Sequence, residues 1–158
     1  MRDASHRETA MRIRQARPAD TPRLLEIWLE ASRIGHFFLG EEVLLEQLPV
    51  LRDVYIPNAD NWVAEDGRIL GFIGLLANHI GGLFVAPEAH RRGVGRALVA
   101  HASERMGELT VEVYERNALA TAFYRSCGFE PAGRKALDDE GRPLPLLRMT
   151  RPAPRPAA

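Results

Sequence analysis

The chain has 158 residues, with 21 Lys and Arg against 21 Asp and Glu and no formal net charge at neutral pH. That length suits one domain with a real core and is too short for two, and the charge balance argues against a general nucleic-acid or acidic-membrane binder. Hydrophobic content of 46% and charged content of 27% are ordinary globular values, and no apolar run is long enough to span a bilayer.

In chain order, residues 1–10 read as a flexible leader, polar and without a hydrophobic signal region. Met11 to Arg17 alternates as a short strand. Asp20 then reads as the cap of a helix with Pro22 in its first turn and Leu24, Leu25, Trp28 and Leu29 on its apolar stripe. A second helix is predicted from Glu41 to Val54, kinked or split at Pro49. Trp62 to Glu65, Ile69 to Ala77 and Ile80 to Val85 read as three strands, antiparallel because their connections are too short for a crossover. A helix from Gly93 to Met106, a strand from Leu109 to Tyr114 and a helix from Ala118 to Ser126 follow, the last closed by Gly128. Phe129 to Ala136 and Leu144 to Thr150 form the expected closing hairpin, and the Pro-rich 151–158 tail is expected to be disordered. The outcome is an α/β fold: a mixed, largely antiparallel central sheet of about seven strands flanked by about four helices, in one domain over 11–150.

Cys127 is the one cysteine, so no intramolecular disulfide forms, and no Cys/His cluster has zinc spacing; no metal is expected. A single thiol suits a reducing, cytoplasmic setting. Lys135 is the single lysine, so a cluster of arginines carries less weight here than in a mixed basic composition.

The segment from Leu83 to Leu98 carries the most chemistry. A strand ends at Leu83-Phe84-Val85, a short loop turns, and Gly93 and Gly95 open a helix. Free N–H groups at a helix start, backed by the helix dipole, make an anion site, and two glycines let a phosphate approach the backbone. His90, Arg91, Arg92 and Arg96 surround it with positive charge. With Leu98 in place of a third glycine the dinucleotide fingerprint is absent, and no Lys-Ser/Thr follows to make a P-loop. The segment resembles motif A of the GNAT superfamily of N-acetyltransferases, Gln/Arg-x-x-Gly-x-Gly/Ala, which wraps the pyrophosphate of coenzyme A. His90 departs from that pattern. The resemblance implies that Arg91, Arg92, Gly93, Val94, Gly95, Arg96 and Ala97 hold the coenzyme through the backbone.

Asn117-Ala-Leu-Ala-Thr-Ala-Phe-Tyr-Arg-Ser-Cys-Gly-Phe129 is the second match. On a helix, Asn117, Ala120 and Tyr124 share one face. The stretch resembles the family's Asn-x-x-Ala-x-x-Phe/Tyr-Tyr-x-x-x-Gly-Phe signature, in which the Asn contacts the pantetheine arm and the Tyr lies near the coenzyme sulfur. Core packing accounts for Phe123 and Phe129. The family resemblance, spanning Met11 to Thr150, implies direct transfer of an acetyl group from acetyl-CoA, as co-substrate, to a primary amine. It also implies that Leu83, Phe84 and Val85 pair with the pantetheine arm like an added strand.

Amide formation from a thioester needs a base for the amine, a donor at the carbonyl oxygen and an acid for the thiolate. Tyr124 is the candidate acid, its phenol titrating at about 10 in isolation. His79, where the family often has a carboxylate, is the candidate base, with water relays as the other route. Trp28, Ser32, His36, Phe37 and Phe38 gather near the junction of the first two helices, and Trp28, Ser32, His36 and Phe38 are the candidate acceptor-binding set. Only Glu41 and Glu42 lie near this set in sequence, so the pocket reads as neutral. Cys127, at a helix end with no neighbouring histidine, is read as packing rather than as a nucleophile. The acceptor is a small-molecule or protein amine, with nucleic acid and membrane not expected as partners, and the protein is a monomer or a homodimer. The competing reading is a coenzyme-A-binding sensor without turnover; the presence of Tyr124 favours catalysis.

Overall fold

Seven strands form one sheet in the order β1-β2-β3-β4-β5-β7-β6 in the structure, a computed structural model that describes residues 11–156. The expected leader over 1–10 lies outside the described residues. The strands are β1 (Arg12–Gln15), β2 (Asp60–Asp66), β3 (Arg68–Leu76), β4 (His79–Val85), β5 (Leu109–Tyr114), β6 (Glu130–Lys135) and β7 (Leu146–Arg151). All neighbours pair antiparallel except β4 and β5, as the short connections require on one side and the intervening helix permits on the other. The helices are α1 (Thr21–Gly35), α2 (Glu41–Val50), a short α3 (Ile56–Asn58), α4 (Val94–Met106) and α5 (Ala118–Ser126). Among the described residues no helix is long and apolar enough to cross a membrane.

α1 buries Leu24, Ile27, Trp28 and Ser32, a helical stripe packed on β3 and β4. Asp20 does not cap it through its side chain. Its carboxylate instead accepts from the Arg17 N–H at 2.8 Å and from Arg14 Nη1 at 2.8 Å, because Pro18–Asp20 forms a preceding 3-10 turn. The second helix, expected to reach Val54 with a kink or split at Pro49, is split there, and α2 ends at Val50. A π turn over Leu51–Tyr55 follows Pro49, and then α3. Proline lacks an N–H and crowds the preceding turn, so a register defect at this point is the expected cost.

Two further differences concern the C-terminal strands. The predicted hairpin exists, but β7 inserts between β5 and β6 and places β6 at the sheet edge. The ladder also runs one residue into the segment expected to be disordered: Arg151 is in register with Leu109, and Pro152, with no N–H to donate, ends the strand.

The parallel pair positions the site. β4 and β5 are in register only at His79 with Thr110 and Ile80 with Val111, although β4 runs on to Val85 and β5 to Tyr114. Beyond Ile80 the two strands splay into a wedge. A bulge adds to this: Gly74 pairs with Gly82 and Leu75 with Ile80, which leaves Gly81 extra. Simple alternation would put His79 and Phe84 on opposite faces. The bulge puts His79, Gly82 and Phe84 on one face, in register with Leu76, Gly74 and Phe72.

Candidate active site

The wedge opens into a cavity of about 1070 Å³ that runs from the start of α4 to the junction of α1, α2 and the β6–β7 loop. One end is built by the loop from Val85 to Gly93. Pro87–Ala89 makes a 3-10 turn, Arg91 takes a left-handed backbone at φ 66° and Gly93 another at φ 78°. Successive reversals of this kind turn N–H groups toward one point, and a left-handed arginine is backbone strain held by its surroundings. The N–H groups of the first turn of α4, at Val94, Gly95 and Arg96, have no partner within the helix, as at any helix start. The Ala97 N–H is not among them, because it donates to the Gly93 carbonyl at 3.0 Å.

The two glycines of this loop serve different ends. A Cβ on Gly93 would meet nothing within 4 Å, so the requirement there is the positive φ. A Cβ on Gly95 would lie 3.0 Å from Phe123 Cζ and 3.1 Å from its Cε1. The bare Cα of Gly95 therefore lets α4 close on α5. Arg91 and Arg96 line the cavity, Arg96 with its guanidinium donating to the Ser126 carbonyl at 3.2 Å and Oγ at 3.1 Å, whereas Arg92 pairs with Asp66 at 3.0 Å. His90 ties the loop to the end of β4 through Nε2 and the Val85 carbonyl, 3.2 Å apart.

Of the residues expected to hold the coenzyme, Leu83, Phe84, Val85, Val94, Asn117, Ala120 and Tyr124 line the cavity. Asn117 differs in one respect. It precedes α5 as its cap, its Oδ1 accepting from the Ala120 N–H at 3.1 Å, so it does not share a helical face with Ala120 and Tyr124. Its Nδ2 lies against the end of α1, where a Cβ on Gly35 would stand 3.0 Å away. Tyr124 is buried between Phe123 and Phe129, with ring centroids 5.2 Å from each. Burial, with a smaller contribution from Cys127, pushes its phenol well above the usual tyrosine range and keeps the proton on. Cys127 is itself buried.

At the other end, His36 sits edge-on to Tyr114 at 5.3 Å and to Phe84 at 6.5 Å. Burial among these rings lowers the His36 imidazole to about 4, which leaves it neutral near pH 7. Ser32 also reaches the cavity, and its Oγ is buried without a partner among the described residues. Trp28 and Phe38 do not line it. Trp28 packs into the core against Phe84 at 6.4 Å, and Phe38 backs the site edge-on to Tyr114 at 5.1 Å. His79 lies on the cavity wall, with Nδ1 2.7 Å from Thr110 Oγ1, which leaves Nε2 to face a ligand.

Sequence reasoning missed four residues here. Thr110, Glu112 and Tyr114 alternate along β5 on the face of His79 and Phe84, and a polar alternation on an interior strand was the available signal. Glu112 lines the cavity, and its Oε2 is buried without a partner among the described residues. Tyr114 donates to Asp138 Oδ2 at 2.9 Å. Asp138 also accepts from the N–H groups of Glu140 and Arg142 and from Arg142 Nη1, so it knots the β6–β7 loop. Burial alone would raise the Asp138 carboxyl, but these donors hold it below the usual range. Burial, then the Asp138 bond, pushes the Tyr114 phenol up.

The acceptor end is not neutral, contrary to the sequence reading. Glu41 pairs with Arg33 on the surface, while Glu46, Glu112, Asp139 and Glu140 line the cavity. Among the described residues no group of three or more His, Cys, Asp or Glu is gathered as a metal ligand set.

Residues 57–131 match the family model described as an acetyltransferase (GNAT) domain. The peptidyl-lysine N-acetyltransferase YiaC of Escherichia coli is 41% identical over 119 residues, covering 74% of this chain and 82% of that protein. Its counterpart YjaB from the same organism is 38% identical over 139 residues, covering 87% and 94%. The solution structure of apo YjaB from E. coli superposes with a TM-score of 0.82 at 36% identity, over 89% of this chain and 97% of that one. The PaiA N-acetyltransferase of Thermoplasma acidophilum, solved with coenzyme A, shares the fold alone, with a TM-score of 0.72 at 18% identity over 90% and 99% of the chains.

Proposed function

The chain belongs to the GNAT family of acetyltransferases, and from that premise we propose that it transfers the acetyl group of acetyl-CoA to the ε-amine of a lysine in a protein or peptide. The observation that carries this reading is the division of charge along one cavity. Arg91 and Arg96 stand at the α4 end, and Glu46, Glu112, Asp139 and Glu140 at the other, where the one lining arginine among the described residues, Arg142, is paired with Asp138. The first end suits a polyphosphate and the second an ammonium ion. The relatives YiaC and YjaB, named as peptidyl-lysine N-acetyltransferases, support the choice of lysine.

The coenzyme pyrophosphate meets the N–H groups of Val94, Gly95 and Arg96, and the pantetheine arm enters the wedge along Leu83 to Val85. Arg92 and Ala97, with their groups already engaged, contribute little to this grip. The lysine ammonium is received by the free Oε2 of Glu112 and must lose a proton before it can attack. Glu112 takes that proton directly, or His79 takes it through Nε2 and water. As nitrogen bonds to the thioester carbon, the carbon–sulfur bond breaks, the Tyr124 phenol, held protonated by burial, donates to the departing thiolate, and the second nitrogen proton passes to solvent as Tyr124 is reprotonated. Neutral His36 adds no positive charge to a site that must accept an ammonium.

The test is a thiol-release assay with three acceptor sets: Nα-blocked peptides with one lysine, peptides with a free N-terminus and no lysine, and small amines. The lysine set should be turned over fastest. Faster turnover of either other set would overturn the assignment of lysine.

A further inference from the structure

Lys135 is the single lysine of the chain, and it stands at the edge of the cavity assigned to an acceptor lysine. Its Nζ is 3.2 Å from Glu112 Oε1 and 3.8 Å from Asp139 Oδ1, and both of those residues line the cavity. The sheet explains the approach. Lys135 ends β6 in register with Leu146 of β7, and Leu146 is in register with Tyr114 of β5. Paired residues share a face, so Lys135 lies on the face of Tyr114 and Glu112 and extends across β7 to reach Glu112. The side chain is 56% exposed, which leaves its four-carbon arm free to swing.

We propose that Lys135 is an internal acceptor and that the protein acetylates its own Lys135 Nζ in cis, a modification that rests on the lysine-acetyltransferase reading above. Glu112 takes one proton from the Lys135 ammonium. The freed amine forms a bond to the thioester carbonyl carbon, the carbon–sulfur bond breaks, and the coenzyme leaves as a thiol with the proton supplied by Tyr124. The second nitrogen proton passes to solvent as Tyr124 is reprotonated. Tethering favours the reaction, because the amine is held beside its base at an effective concentration that a free peptide does not reach. The product amide is uncharged, so both ion pairs of Lys135 are given up.

The test is intact-mass analysis of the full chain after incubation with acetyl-CoA, with peptide mapping to locate the acetyl group and a lysine peptide in the same tube. The expected result is one acetyl group on Lys135, at a rate independent of protein concentration and slowed at least about tenfold in Glu112→Gln. The Lys135→Arg chain should gain no acetyl group at that position while still acetylating the peptide. Peptide acetylation with Lys135 unmodified would overturn the proposal and leave the enzyme reading intact. A Lys135 rate unchanged in both Glu112→Gln and Tyr124→Phe would mark solvent chemistry and overturn it, and a rate that rises with protein concentration would overturn transfer in cis. Silence from both peptide and Lys135 would remove the acetyltransferase reading itself.

Discussion

Lowering the pH from about 7.5 to about 5 should weaken folding, with a separable contribution from His36. Its imidazole is lowered from 6.5 to about 4 by burial against Phe84, Phe38 and Tyr114. A base with a depressed folded value binds protons more readily when unfolded, so its contribution is constant above pH 6.5 and is lost as the pH falls toward 4. At about pH 5 the unfolded ring is protonated and the folded ring is not. The gap of about 1.5 pH units is worth about 2 kcal/mol at about 1.4 kcal/mol each. Solvent screening of a half-buried ring reduces this to about 1–2 kcal/mol. Urea unfolding of the wild type and of His36→Phe, which keeps an aromatic ring among its neighbours, isolates the effect at the two pH values. His101, also lowered chiefly by burial, titrates in both proteins and cancels in the comparison. The wild type should lose about 1–2 kcal/mol more than His36→Phe. Equal losses would refute a neutral, desolvated His36.

Three substitutions separate the parts of the site. Tyr124→Phe should lower kcat at least about tenfold with little change in the Kd of acetyl-CoA, measured by stopped-flow kinetics and calorimetry; wild-type turnover would show that the phenol is not the acid. Glu112→Gln should raise KM for a lysine peptide about tenfold or more while leaving acetyl-CoA binding unchanged, because it removes the charge that meets the ammonium. Weaker coenzyme binding in that variant would move Glu112 to the other end of the cavity. Gly95→Leu should cost about 1–3 kcal/mol of stability by forcing α4 away from Phe123, with part of the loss recovered in combination with Phe123→Ala. Lost coenzyme affinity at unchanged stability would show instead that the missing side chain makes room for the phosphate rather than for Phe123.

The residues that carry local signals were legible in the sequence. β5 and α5 begin and end where alternation and Gly128 put them, and the loop from Val85 to Gly93 turns where Pro87 and the glycines require. Contacts that depend on registry were not. Gly81 and Gly82 read as two ordinary strand residues, yet one is a bulge, and that single shift brings His79 to the face of Phe84. The i, i+3, i+7 spacing places Asn117 on a helical face with Ala120 and Tyr124, but an asparagine side chain can also cap, and the folded chain uses it so. The acidic lining escaped because Glu46, Glu112, Asp139 and Glu140 come from three separate segments. Glu41 and Glu42, near in sequence to His36, face elsewhere or pair with Arg33. The neighbours of Lys135 follow only from the strand order β5-β7-β6, which no local pattern encodes.

The central claim is a single transfer, from a thioester at the α4 end of the cavity to a lysine nitrogen at the Glu112 end. Acetyl-CoA labelled with carbon-13 at the carbonyl, incubated with the protein and a one-lysine peptide, follows that carbon directly by NMR. The account predicts that the label appears as an amide on the lysine ε-nitrogen in step with release of free thiol. Label recovered as acetate, or retained on coenzyme A in the presence of active, folded protein, would contradict it.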